Sequence, residues 1–172
     1  MNIFVLDLDP VVCARYHCDI HVGVMAKEAR QLLASAHHRL NPRSHTIKGL
    51  PKPTHMNHPC AVWVRESSAN YYWLFDLYQA LHQEFMFRFG KAHGNYTRID
   101  AVDTCPRALE YRDMTPFAQA MPDKYKDDDP GASLNEALLL AVLAYRNYYR
   151  NDKQAFHKWT RREVPEWITS NN

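Results

Sequence analysis

His21, Glu28, His58 and Glu66 are the side chains in this sequence best suited to moving a proton. His21 and Glu28 are seven residues apart, about two helical turns, so one helix presents both on a single face with Met25 and Leu32. Glu66 falls on an apolar stripe with Trp63, Asn70, Trp73, Leu77 and Leu81, provided one continuous helix carries them all. A carboxylate on such a stripe costs several kcal/mol, on the order of a lost buried pair, unless it is paired or protonated. Burial also raises its pKa toward neutrality, which suits general acid–base work. Glu28 or Glu66 is therefore expected as general base or electrostatic stabiliser, with His21 or His58 as acid or phosphate ligand. The competing reading of His21 and Glu28 is a satisfied structural network between helices.

Other residues could complete such a site. His17, one turn before His21, lines the same groove, and Gln31 follows Glu28 on that helix. Asn57 or His58 stands just before Pro59 at a helix N-terminus, where the dipole favours anions and where either residue can equally serve as a plain cap. Trp63, Tyr71 and Trp73 could stack a base and Asn70 read its edge, while Arg65 points to another element or to solvent. Gln119, Asp123 and Tyr125, in the proline-bracketed TPFAQAMPDKYK, present hydrogen-bonding edges. Arg146 with Tyr145, Tyr148 and Tyr149 could add stacking and phosphate contacts.

Metal and cofactor chemistry are not expected. His17 and His21 have i, i+4 spacing, and His55, His58 and Cys60 could complete a tetrahedral set, but HExxH and CxxC patterns are missing. The five glycines include no phosphate-binding spacing. A Cys60 thiol in the first turn of a helix has no identified base to make it a nucleophile.

The elements that must position these groups are helical. NIFVLDLD reads as one short buried strand, and Asp9 with Pro10 starts a helix over 10–17. Asp19 caps a second helix running to about residue 38, and 40–57 is a loop. A third helix runs from Pro59 to Phe89, stopped by Gly90, with a bend expected at Asn70. Residues 91–113 are mostly irregular, FAQAM is a short helix, and Ser133 with Glu136 makes a capping box for a helix to about residue 151. A last helix covers 153–161. The expected fold is mainly α, one compact helical domain over 1–172 with a single N-terminal strand.

Lys and Arg number 21 against 19 Asp and Glu, so no strong global field attracts nucleic acid or membrane. A local basic patch must serve instead, and the run from Tyr145 to Arg162 is the candidate, a solvated basic helix being its plain reading. The first ten residues lack a signal-peptide n-region, and ALLLAVLAY is too short to span a bilayer, which needs roughly 20 residues. The four cysteines are expected as free thiols in a reducing cytoplasm.

MNIFVLDLDP, HCDIHVGVMAKEARQL, THMNHPCAVWVRES, TPFAQAMPDKYK and AYRNYY with a closing PEW together resemble a group of small, functionally unassigned proteins of tailed bacteriophages, along nearly the whole chain. That resemblance implies a location in the host cytoplasm and carries no activity. A fainter, fold-level likeness links the chain to phage pyrimidine-dimer DNA glycosylases, small, helical and metal-free, which act with a helix-borne glutamate and an N-terminal amine exposed by methionine removal. Asn2 carries no comparable signal for that amine. Two functions stand side by side. One is a cofactor-free enzyme, a hydrolase or DNA glycosylase/lyase, hydrolysing or eliminating at a glycosidic or phosphate bond of a nucleotide or DNA. The other is a non-catalytic phage accessory protein that sequesters a nucleotide or inhibits a protein.

Overall fold

The computed structural model describes residues 1–169 and is mainly α. Its helices are α1 (Pro10–Tyr16), α2 (Asp19–Leu40), α3 (Pro59–Trp63), α4 (Ser68–Phe89), α5 (Leu134–Asp152) and α6 (Glu166–Thr169). Caps account for most of the boundaries. The Asp9 carboxylate accepts from the backbone N–H groups of Val11 and Val12 above Pro10, and Ser133 and Glu136 form the expected box. Gly90, at φ 66°, ends α4 in the left-handed conformation that a side chain disfavours.

The long helices α2 and α4 pack along each other, and α1 packs on α4. Their apolar faces share one core with the inner face of α5, through Leu32, Leu33, Leu74, Leu77, Leu81, Tyr145 and Tyr149. Into this core also runs the N-terminal segment, where Ile3 to Leu6 are buried. It is no strand. Phe4 has φ 51°, and the segment's polar atoms go to side chains: Arg146 Nε donates to Leu6 O (2.8 Å) and Trp73 Nε1 to Leu8 O (2.7 Å). With no second strand among the described residues, its backbone groups are satisfied this way instead.

Four further expectations are corrected. The helix expected from Pro59 to Phe89 is broken by a turn over 64–67 rather than bent at Asn70, because Ser67 caps a new start by accepting from the Asn70 N–H (3.0 Å). FAQAM forms no helix, since tertiary partners take its backbone groups: the Tyr145 hydroxyl donates to Ala118 O (2.7 Å) and accepts from Ala120 N (3.1 Å). Residues 153–161 hold only the 3-10 turn Gln154–Phe156.

Asp19 is the first residue of α2, not its cap. Its carboxylate binds the Thr160 N–H (2.9 Å) and hydroxyl (2.7 Å) and Arg88 Nη1 (3.1 Å). Glu84 joins this network, accepting from Arg88 Nε (2.7 Å) and from Arg162 Nε and Nη2 (2.9 and 2.8 Å). The C-terminal segment is thereby tied to the start of α2 and the last turns of α4.

Candidate active site

Glu28 lies in the middle of α2, where the 3.6-residue period turns it out of the Met25–Leu32 stripe just enough to stay 21% exposed. Its Oε2 accepts from the Asn2 N–H at 2.6 Å and lies 3.8 Å from the α-ammonium nitrogen of Met1. The first two backbone nitrogens of the chain thus converge on one carboxylate. Asn2 fixes them: its Nδ2 donates to Ala120 O (2.6 Å), and its Oδ1 accepts from Ile3 N (2.8 Å) and shares the single Tyr145 hydroxyl proton with Ala118 O (2.9 and 2.7 Å). Tyr145 is fully buried. It links the chain start, the 118–120 segment and α5.

His58 belongs to the same neighbourhood. It caps α3, its Nδ1 accepting from Cys60 N (3.2 Å). Its pKa is lowered by burial, then by the Met1 ammonium, then by His55, so the ring there is held neutral. Cys60, fully enclosed behind it, has its thiol pushed up to about 12 by burial, which rules out a thiolate nucleophile. Gln31, one turn beyond Glu28, is half-buried, and Asn57 beside His58 is exposed.

His21 and Glu66 stand elsewhere. Nδ1 of His21 is 2.7 Å from the Tyr149 hydroxyl and 3.3 Å from Cys18 Sγ, and the ring packs on Phe4 with a centroid separation of 4.9 Å. Burial, then the neighbouring His17, Lys153 and His157, lower its pKa to about 3. His17, wholly buried with Nδ1 2.8 Å from Cys13 O, is lowered to about 4, chiefly by burial. These are neutral core imidazoles. Glu66 is exposed rather than buried on the Trp63 stripe, because the break after α3 removes the assumed continuity. Its Oε2 accepts from the Thr115 hydroxyl (2.9 Å).

The groups expected around Glu66 form a clasp. Buried Asn70 donates from Nδ2 to Trp63 O (2.8 Å) and Thr115 Oγ1 (2.7 Å) and accepts from Thr115 N (2.9 Å). Trp63 and Trp73 pack edge to face and enclose Phe117, while the Tyr71 hydroxyl donates to Val102 O (2.8 Å) beside His37. All three rings lie in the core, with Tyr71 fully enclosed. Arg65 donates to Met56 O (2.6 Å) and Ala61 O (3.2 Å), pinning the loop before α3.

The remaining candidates lie around α5. Gln119 clamps Asp127 through both backbone groups, and exposed Asp123 pairs with Lys126 (2.7 Å). The Tyr125 hydroxyl donates to Asp152 (2.6 Å). Arg146 pairs with Asp7 (2.9 Å) and stacks over Tyr16 and Trp167. Arg150 holds Trp167 O and Arg162 holds Glu84, so the C-terminal basic run is largely occupied within the chain.

A different basic stretch, which includes the loop 40–57, carried no functional expectation. Residues 29–65 contain no Asp or Glu but six cations, Arg30, Arg39, Arg43, Lys48, Lys52 and Arg65. Arg39, Arg43, Lys48 and Lys52 are exposed. This stretch joins Glu28 to His58, and the missing acids were its signal.

No cluster of three or more His, Cys, Asp or Glu side chains suited to a metal occurs among the described residues, so the set His17, His21, His55, His58 and Cys60 does not converge. No helix among them is long and apolar enough to cross a membrane. Comparison of the chain with protein-family models, with curated proteins and with solved structures finds no match in any of the three.

Proposed function

We propose that the chain is a DNA glycosylase/lyase whose reacting groups are its terminal amine and Glu28. The observation that carries this reading is the convergence of the Met1 and Asn2 nitrogens on Oε2 of Glu28. Retention of Met1 leaves its amine facing that carboxylate at 3.8 Å, and removal of Met1 would make the Asn2 nitrogen, at 2.6 Å, the terminal amine. Either nitrogen meets the requirement set by the fainter glycosylase resemblance: an amine nucleophile beside a helix-borne glutamate.

The chemistry follows from those two groups. The terminal amine, once it has given its extra proton to solvent, attacks the anomeric carbon with its lone pair as the bond to the base breaks, and the base leaves with the electron pair and gains a proton. The C1′–O4′ bond then breaks, O4′ takes its electron pair and a proton from the nitrogen, and a protonated imine remains. Glu28 then takes the proton from C2′, and the C3′–O bond breaks with loss of the 3′-phosphate. Neutral His58 is the nearby group suited to relaying protons. Arg39, Arg43, Lys48 and Lys52 supply the cations a phosphate backbone needs.

Borohydride trapping on an oligonucleotide bearing an abasic site tests the reading. The expected product is a covalent adduct that maps to the N-terminal peptide, with Glu28→Gln still trapped but defective in strand cleavage. An untrapped protein that neither releases a base nor nicks DNA would sink the proposal in favour of a non-catalytic binder.

A further inference from the structure

Between the first turns of α2 and the end of α4 the surface opens into a groove of about 470 Å³. On the α2 side it is lined by Ile20 and Val24, 50% and 40% exposed. On the α4 side stand Phe85 and Phe89, half-buried and 4.7 Å apart at their centroids, with the His93 ring edge-on to Phe85 at 4.8 Å. Gly23 lies between the two sides. A Cβ there would stand 3.4 Å from Phe85 Cε2 and 3.6 Å from His93 Nε2, ordinary contact distances, so packing does not demand a glycine. Glycine inside a helix is less stable than alanine. What its bare backbone supplies is open space facing two aromatic rings.

Two cations flank that space. Lys27 and Lys91 line the groove, both are exposed, and neither has an acidic partner among the described residues. The positions three and four residues from Lys27 are Gly23, Val24, Arg30 and Gln31, so α2 offers it no acid. The carboxylate in the lining, Asp19, is turned to Thr160 and Arg88, and together with Glu84 and Arg162 these groups balance their own charges. The charge of the two lysines therefore stands uncompensated.

We infer that this groove binds a small aromatic anion, its ring laid over Gly23 against the two phenylalanines and its anionic group held by Lys27 and Lys91. The volume suits a single small ligand, for which pockets run to about 300–1,000 Å³. The quadrupoles of Phe85, Phe89 and His93 favour offset and edge contacts with another ring. Burial lowers the pKa of His93, so that ring is neutral at pH 7 and the attraction for an anion rests on the lysines. A docked helix would need an apolar seam continuing along α2, but the next residues on that face, Lys27 and Gln31, are polar. Glu28 lies outside the lining, so the inference stands apart from the chemistry proposed there.

The probe is anilinonaphthalene sulfonate, an aromatic anion whose fluorescence rises in apolar sites, titrated into the native full chain beside its uncharged counterpart phenylnaphthylamine. One sulfonate dye per chain is expected, with a micromolar Kd. Gly23→Leu, whose side chain fills the groove, should abolish that binding without lowering the melting temperature. Lys27→Gln combined with Lys91→Gln should raise the Kd of the sulfonate about tenfold and leave that of the uncharged dye unchanged. These lysines are on the surface, so their test holds even if Gly23→Leu folds poorly. Glu28→Gln should bind the dye as the parent does, which separates this outcome from a failure of the glycosylase reading. Displacement of the dye by thymidine monophosphate or by indole carboxylate then tells a nucleotide from an aromatic acid. Undiminished binding to a folded Gly23→Leu chain, indifference to the two lysines, or displacement by neither competitor overturns the inference.

Discussion

The backbone nitrogen of Asn2 donates to Oε2 of Glu28 at 2.6 Å across 26 residues of sequence, and the side chain of Asn2 holds that nitrogen in place. The relationship makes the chain start a fixed part of the fold.

Removing the clamp should therefore loosen the terminal amine. Asn2→Ala forfeits the bonds to Ala120 and Tyr145 and should cost about 1–3 kcal/mol, while Tyr145→Phe, which keeps the ring, should cost about 1 kcal/mol. Chemical denaturation measures both. Under the proposed function the Asn2→Ala loss in borohydride trapping should exceed the loss explained by unfolding.

Acid should destabilise the protein in two steps. His17 and His82 are lowered from 6.5 to about 4, chiefly by burial, so the unfolded chain binds protons that the folded one refuses. Their stabilisation is complete above pH 6.5 and is lost as pH falls toward 4; for His17 this is about 3 kcal/mol at 1.4 kcal/mol per pH unit. Glu84, although burial raises it, is held below its ordinary 4.5 by the hydrogen bonds from Arg162 and Arg88, so its contribution is lost at still lower pH. Urea melts between pH 7.5 and 4.5 should show falling stability, and His82→Leu should flatten the slope. An unchanged slope would mean that His82 carries its proton in the folded state.

Glu84→Gln should be among the most damaging single changes. It leaves Arg88, 1% exposed, with a depleted partner and frees Arg162, costing about 3–5 kcal/mol by analogy with broken buried pairs. A melting temperature within a degree or two of the parent would show the network to be dispensable.

Thiol accessibility should divide the cysteines. Cys13, Cys18 and Cys60 are buried, with Cys13 and Cys60 pushed up to about 12 by that burial, while Cys105 is only half-buried. A thiol reagent at pH 8 should modify Cys105 in the native protein and all four after denaturation. Rapid labelling of Cys60 would contradict the enclosed site.

Under the proposed function, DNA affinity should depend on the acid-free stretch more than on the C-terminal run. With Arg39, Arg43, Lys48 and Lys52 contacting phosphates, the logarithm of the binding constant should fall with the logarithm of salt at about −0.9 per contact, and replacing the four by Gln should flatten it. Replacing Arg150 and Lys158 should change it little. The reverse ranking would return the interface to the C-terminal segment.

The sequence by itself determined the mainly helical class, the Asp9–Pro10 start, the stop at Gly90 and the Ser133–Glu136 box, because each rests on bonds closed within about one turn. Glu28 was legible as a carboxylate on a half-apolar helical face. Its partner was not, since no local pattern joins position 28 to the first two residues. Tertiary structure alone decided that His21 turns to Tyr149, that Asn70 reaches Thr115, and that FAQAM, forming no helix, lies on Tyr145. It also decided that the C-terminal arginines bind Asp7, Trp167 and Glu84. In each case a distant polar group competed with the local hydrogen bond or with solvent and won, and a contact made across the chain leaves no period in the sequence to read.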